Sequence, residues 1–167
     1  MKQIILLPAV LILILTSCTY DNGVSEAFSR YRHEDGVTSI TVPGWLIGIA
    51  AGMGDLEKEE RALLRSISKV RVLTIDDQDM TRKHNFHKEF YLAIAENPGM
   101  EELLVVHNDN DQVTIFGKGT EKAFDELLIL VGGSSNAIVH IKGKLKPEML
   151  SDIMNKGSVN GFLSWNH

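Results

Sequence analysis

Residues 124–145 read FDELLILVGGSSNAIVHIKGKL. Two apolar runs, Phe124 to Val131 and Ala137 to Leu145, flank the loop Gly132-Gly133-Ser134-Ser135-Asn136. That pattern predicts two antiparallel strands joined by a turn. The second run alternates. Ala137, Val139, Ile141 and Leu145 are expected to share one face, and His140, Lys142 and Lys144 the opposite, solvated face. Just upstream, Glu102 to His107 and Gln112 to Lys118 flank the polar turn Asn108 to Asp111 and predict a second hairpin.

Toward the amino terminus the pattern becomes helix alternating with strand. A helix is predicted over 25–34, with Ser25 as its cap and Ala27, Phe28 and Tyr31 turned one way. Val37 to Val42 reads as a strand closed by Pro43-Gly44. Asp55 to Ser68 reads as a charged helix with Leu56, Leu63, Leu64 and Ile67 on one stripe. Val70 to Ile75 is a β-branched strand, and Asp76 to Asp79 an acidic turn. The strongest helical pattern is Thr81 to Glu96, where Phe86, Phe90 and Ile94 recur at every fourth position until Asn97-Pro98-Gly99 stops it. Past the hairpins, Lys146-Pro147 opens a short helix to Asn155. The expected architecture is one α+β domain over residues 25–156, a mostly antiparallel sheet with helices packed on one face. A tail over 157–167 is expected to dock through Phe162, Leu163 and Trp165.

Between the first strand and the charged helix lies an apolar helix, Gly44 to Gly54, with Gly44, Gly48 and Gly52 at every fourth residue. Small residues at that spacing let another backbone approach closely. The expected reading is a buried helix lying tightly on the sheet. The alternative is a homodimer or membrane contact.

The first residues carry an address. Met1-Lys2-Gln3 is a short positive start, and Ile4 to Leu15 is a 12-residue apolar run interrupted only by Pro8. A spanning helix needs roughly 20 apolar residues, so the run matches a signal-peptide core. It ends in Leu15-Thr16-Ser17-Cys18. This resembles the bacterial lipobox, which implies cleavage after residue 17 and acylation of Cys18. Residues 18–24 then form a lipidated tether. Two or more acyl chains, at ~0.8 kcal/mol per buried CH₂, hold a protein durably to a bilayer. The expected location is the cell envelope, at the outer membrane facing the periplasm.

Composition narrows the partners. With 44% hydrophobic and 23% charged residues the chain has the makings of a globular core. Its net charge of −5 and lack of a basic stripe argue against nucleic-acid binding. The same acidity gives anionic headgroups no purchase, so attachment is expected from lipid. Cys18 is the only cysteine, which excludes an intrachain disulfide.

The layout resembles an uncharacterised lipoprotein family of Bacteroidota known as domain of unknown function 4252. The landmarks are Glu34-Asp35-Gly36-Val37-Thr38-Ser39, Val70-Arg71-Val72-Leu73, Glu101-Glu102-Leu103-Leu104, Leu130-Val131-Gly132-Gly133 and Lys142-Gly143-Lys144-Leu145, spread over residues 25–155. The resemblance implies a small envelope protein with a link to envelope stress or signalling, and it brings no catalytic residues. Helix 44–54 and the aromatic tail after Gly157 depart from the family layout.

Candidate chemistry is sparse. His84 and His87, three apart on the strongest helix with Glu89 near, could share a metal, though without the His-Glu-x-x-His pattern or a third ligand. Asp76, Asp77 and Asp79 fail as an EF-hand: counted from Asp77, Arg82 falls where glycine is required and Lys88 where glutamate is. Gly132 to Asn136 lacks the following Gly-Lys-Ser/Thr and helix of a P-loop. No cofactor, metal or catalytic residue is therefore assigned. The expected role is a non-catalytic binding or stress-associated envelope lipoprotein. A periplasmic hydrolase or metal-dependent enzyme using His84 and His87 is the alternative.

Overall fold

The computed structural model describes residues 23–108 and 110–148. The leader, Cys18, residues 19–22, the final helix beyond Glu148 and the tail 157–167 lie outside the described residues.

Among the described residues the elements run in the order α1 (Gly23–Tyr31), β1 (Val37–Pro43), α2 (Gly44–Met53), α3 (Lys58–Ser66), β2 (Ile67–Ile75), α4 (Gln78–Lys83), α5 (Phe86–Ala95), β3 (Met100–His107), β4 (Asp111–Thr120), β5 (Ala123–Gly133) and β6 (Ala137–Leu145). The strands form one antiparallel sheet in the order β1-β2-β6-β5-β4-β3. The fold is α+β. β3 to β6 are the two predicted hairpins, and β1–β2 joins them through pairing of β2 with β6.

Register defines the two ends of the sheet. Pro43, Lys69, Lys142, Glu126, Lys118 and Met100 stand opposite one another across all six strands. The other end holds Val37 opposite Ile75 and the β5–β6 turn, where the Asn136 carbonyl accepts from the Ile75 amide at 3.1 Å. α5 starts at that second end, since the Phe86 amide donates to Asn136 Oδ1 at 2.7 Å, and runs toward the first. Gly23 packs against Ala93 and Ile94. The first residue of α1 is therefore at the Pro43 end.

Alternation sorts the apolar side chains to two faces. Leu73, Ile75, Phe116, Leu128, Leu130 and Ile138 form the main core with Val24, Ala27, Phe28 and Tyr31 of α1 and Phe86, Phe90 and Ile94 of α5. Leu127 and Leu145 point the other way and meet Leu63 of α3, with Ile67, Phe124 and Ile141 around them. His140 lies two residues from Ile138 and so shares the face under α1 and α5. It is 2% exposed, not solvated as its alternation with lysines suggested. The reason is packing: Ile138 on the same face belongs to the core under α1 and α5, and Val139 on the opposite face is buried too.

The long helix expected over 81–96 is broken. α4 ends at Lys83, His84 is extended (φ −119°, ψ 145°), and Asn85 restarts the chain by accepting from the Lys88 amide at 3.0 Å. An asparagine just ahead of an apolar face is an N-cap signal that outcompetes continuation. Gly132 and Gly133 belong to β5, which shortens the predicted loop to Ser134–Asn136. A Cβ on Gly132 would stand 2.5 Å from the His87 amide nitrogen, so this glycine lets α5 begin directly on the sheet.

Candidate functional site

The break at residues 84 and 85 separates the two histidines singled out from sequence. His84 Nδ1 lies 2.8 Å from the Tyr31 oxygen and 3.2 Å from Glu89 Oε1, while Tyr31 donates to Glu89 Oε2 at 2.6 Å. Burial, then the hydrogen bond to Glu89, pushes the Tyr31 hydroxyl up to about 12. It therefore stays protonated and acts as a donor. His87 is buried elsewhere. Its Nε2 pairs with the Thr114 hydroxyl at 2.9 Å, and its ring stacks on Tyr91 with centroids 5.0 Å apart. Burial, then the neighbouring His107, lowers its pKa. The two rings are committed to different neighbours, one tying α1 to α5 and the other tying α5 to β4. Among the described residues, no three His, Cys, Asp or Glu side chains are grouped to hold a metal.

The acidic turn is likewise engaged in structure. Asp77 caps α4 by accepting from the Met80 amide at 2.8 Å. Asp76 accepts from Thr38 and Thr74, and Asp79 pairs with Arg82 at 3.2 Å. Asn108 holds its turn by accepting from the amides of Asn110 and Asp111, as an asparagine in a hairpin turn is expected to do.

Sequence reasoning missed the buried pair His140–Glu126. His140 Nε2 meets Glu126 Oε2 at 2.9 Å, and Lys142 reaches Glu126 Oε1 at 3.1 Å. Nδ1 of His140 has no hydrogen-bond partner. This fixes the neutral tautomer, with Nε2–H donating and Nδ1 a bare acceptor. A second proton would bury an unsatisfied N–H, and burial lowers the His140 pKa despite Glu126. For Glu126, burial acts upward, but the hydrogen bonds from His140 and Lys142 outweigh it and leave the pKa lowered. The signal for this pair was in the pairing of β5 with β6, which a single alternating run does not reveal.

The other unusual feature is α2. Its expected burial against the sheet is not what forms. Ala51 is its one buried residue, and Trp45, Ile49 and Met53 are 69%, 51% and 84% exposed. Leu46 is exposed beside them. Only Gly44 makes the close approach that the glycine spacing suggested. A Cβ there would stand 2.6 Å from the Ile67 carbonyl oxygen and 2.8 Å from Ser68 Cα, whereas Gly48 and Gly52 face open space. The helix is pinned at its first residue to the start of β2 and presents most of its apolar surface outward. Exposed large apolar side chains gathered on one helix are unusual on a protein surface. No described helix is long and apolar enough to cross a membrane.

A family model described as "Domain of unknown function (DUF4252)" matches residues 31–153, which is more than half of the chain. No curated protein and no solved structure matches.

Proposed function

From the premise that this chain belongs to the family described as domain of unknown function 4252, we propose that it is a lipid-anchored envelope protein with a non-catalytic binding or stress-associated role. Cys18, at the end of Leu15-Thr16-Ser17-Cys18, is the acylated residue, and the outer membrane facing the periplasm is the proposed site. The observation that carries this reading is how near Cys18 a buried residue of the domain lies in the chain. Gly23 is already buried against α5, so four residues separate it from the only cysteine. At ~3.3–3.6 Å per residue, Cys18 stays within about 18 Å of the domain. A lipid on its sulfur would hold the domain directly against a bilayer.

The separate engagement of His84 and His87 supports structural work for both, and a binding role over hydrolysis. Intact mass of the natural product tests the anchor, with the expected result a mature chain starting at Cys18 and carrying acyl mass. A Cys18→Ala form should leave the membrane pellet after carbonate washing. Unmodified sulfur, or a Cys18→Ala form that stays in the pellet, would overturn the proposal.

A further inference from the structure

We infer that α2 is a second point of membrane contact, lying in the lipid interface beside the acylated residue. The inference rests on the anchoring reading above and adds where and how the domain meets the bilayer.

Position is the first argument. β1 ends at Pro43 and α2 begins at Gly44 without a loop. Pro43 belongs to the end row of the sheet, and Gly23 sits at that same end, against Ala93 and Ile94 near the close of α5. The lateral position agrees too. α1 lies over β2, with the Arg71 guanidinium 3.8 Å above the Phe28 ring, and Gly44 packs on Ile67 and Ser68 of that strand. Cys18 is thus tied to the end of the domain at which α2 begins, and the reach of about 18 Å is comparable to the ~15 Å length of a ten-residue helix.

Chemistry is the second argument. From Val42 to Gly54 no side chain is charged, and the sole polar side-chain group is the indole N–H of Trp45. A protein partner would be expected to meet a polar rim carrying several hydrogen bonds. Hydrocarbon asks for none, and a helix satisfies its own backbone there. Tryptophan prefers the headgroup level, with its ring in apolar surroundings and its N–H toward water. Ten residues are too few to span, so the helix enters only the outer part of one leaflet, held there by the folded domain and the lipid anchor.

Size separates lipid from a second copy of this chain. α2 offers a face roughly 15 Å long and 10 Å wide. A stable protein interface needs about 800 Å² on each partner. A bilayer needs no minimum matched area because the lipid anchor already supplies residence. The acidic start of α3, with Glu57, Glu59 and Glu60, points to uncharged lipid.

The test uses the full-length acylated protein carrying Trp165→Phe, which leaves Trp45 as the only tryptophan. It is reconstituted in phosphatidylcholine vesicles with or without bromine at acyl carbons 6 and 7. The expected result is a blue-shifted Trp45 emission that bromine quenches at least twofold and aqueous iodide does not reach. Adding Ile49→Asp and Met53→Asp, both exposed positions, should abolish bromine quenching while the circular dichroism spectrum is kept. Equal emission in plain and brominated vesicles would overturn the inference. So would a Trp45 shielded from iodide but blind to bromine, with sedimentation showing a dimer, which would assign the face to a second copy. The acyl mass of the same sample is read separately. If it is missing, the anchor reading falls, while quenching on mixing with preformed vesicles still upholds the α2 contact and its absence still overturns it.

Discussion

Asn136 joins the β5–β6 turn to the start of α5 through both ends of its amide. Oδ1 accepts from the Phe86 amide at 2.7 Å, and Nδ2 donates to the His84 carbonyl at 3.2 Å. Replacing it with alanine leaves a buried donor and acceptor unmade, so Asn136→Ala should lower stability by about 2–3 kcal/mol. Urea unfolding followed by circular dichroism would show a lower midpoint at unchanged slope, and a shift of less than a few tenths of a kcal/mol would refute the assignment. His87 and His140 set the acid response at the same scale. Burial lowers both pKa values below the ordinary 6.5. The unfolded chain then binds more protons than the folded one once the pH drops past 6.5. Stability from these groups is complete above that pH and declines as pH falls toward the folded-state values. Unfolding midpoints compared at pH 7.5 and pH 5 should show the loss, and an NMR titration should place the midpoints of both rings below 6.5.

At the scale of elements, α2 makes the sharpest distinction among its glycines. Gly48 and Gly52 face open space, so Gly48→Ala and Gly52→Ala should each raise stability by roughly 0.5–1 kcal/mol through helix propensity. Gly44→Ala drives a methyl into the backbone of Ile67 and Ser68 and should lower it by about 1–3 kcal/mol. A urea series on the three variants would check the ordering, which is opposite to what a glycine-lined contact along the whole face would produce. Every strand was legible in the sequence to within about three residues, because β-branched runs between turn residues have few other ways to satisfy their backbone. The environment of α2 was not legible. An all-apolar helix has the same sequence whether it faces a core, a partner or lipid, and only the exposure of Trp45, Ile49 and Met53 in the folded chain tells these apart. The continuous periodicity through Phe86, Phe90 and Ile94 likewise hid the cap at Asn85, so His84 was assigned to a helix it terminates.

For the whole molecule, the sequence disclosed a single α+β layer arrangement but not the strand order. That order depends on β2 finding β6, which no local pattern encodes. The same ignorance hid His140: its alternation with Lys142 and Lys144 reads as one solvated face, whereas that face is covered at His140 and opens only toward Lys144, whose side chain is 78% exposed. Sheet order also governs which amides are protected. β1 and β3 are the edges, and Ile40 of β1 and Leu103, Val105 and Val106 of β3 are exposed. Hydrogen exchange should therefore be slowest in β5 and β6 and at least tenfold faster in β1. Comparable protection of β1 would mean that something covers that edge.

The β2–β6 pairing has a consequence in time. A ribosome delivers residues 67–75 long before residues 137–145, so the first 75 of the 167 residues emerge with their main partner still unmade. Until β6 arrives, β1 and β2 are a lone two-stranded ribbon, marginal in water, whereas β3 to β6 zip up from neighbours in sequence. Completion is thus postponed to the closing moments of synthesis, and a chain threaded amino end first through a narrow conduit would stay slack enough to pass.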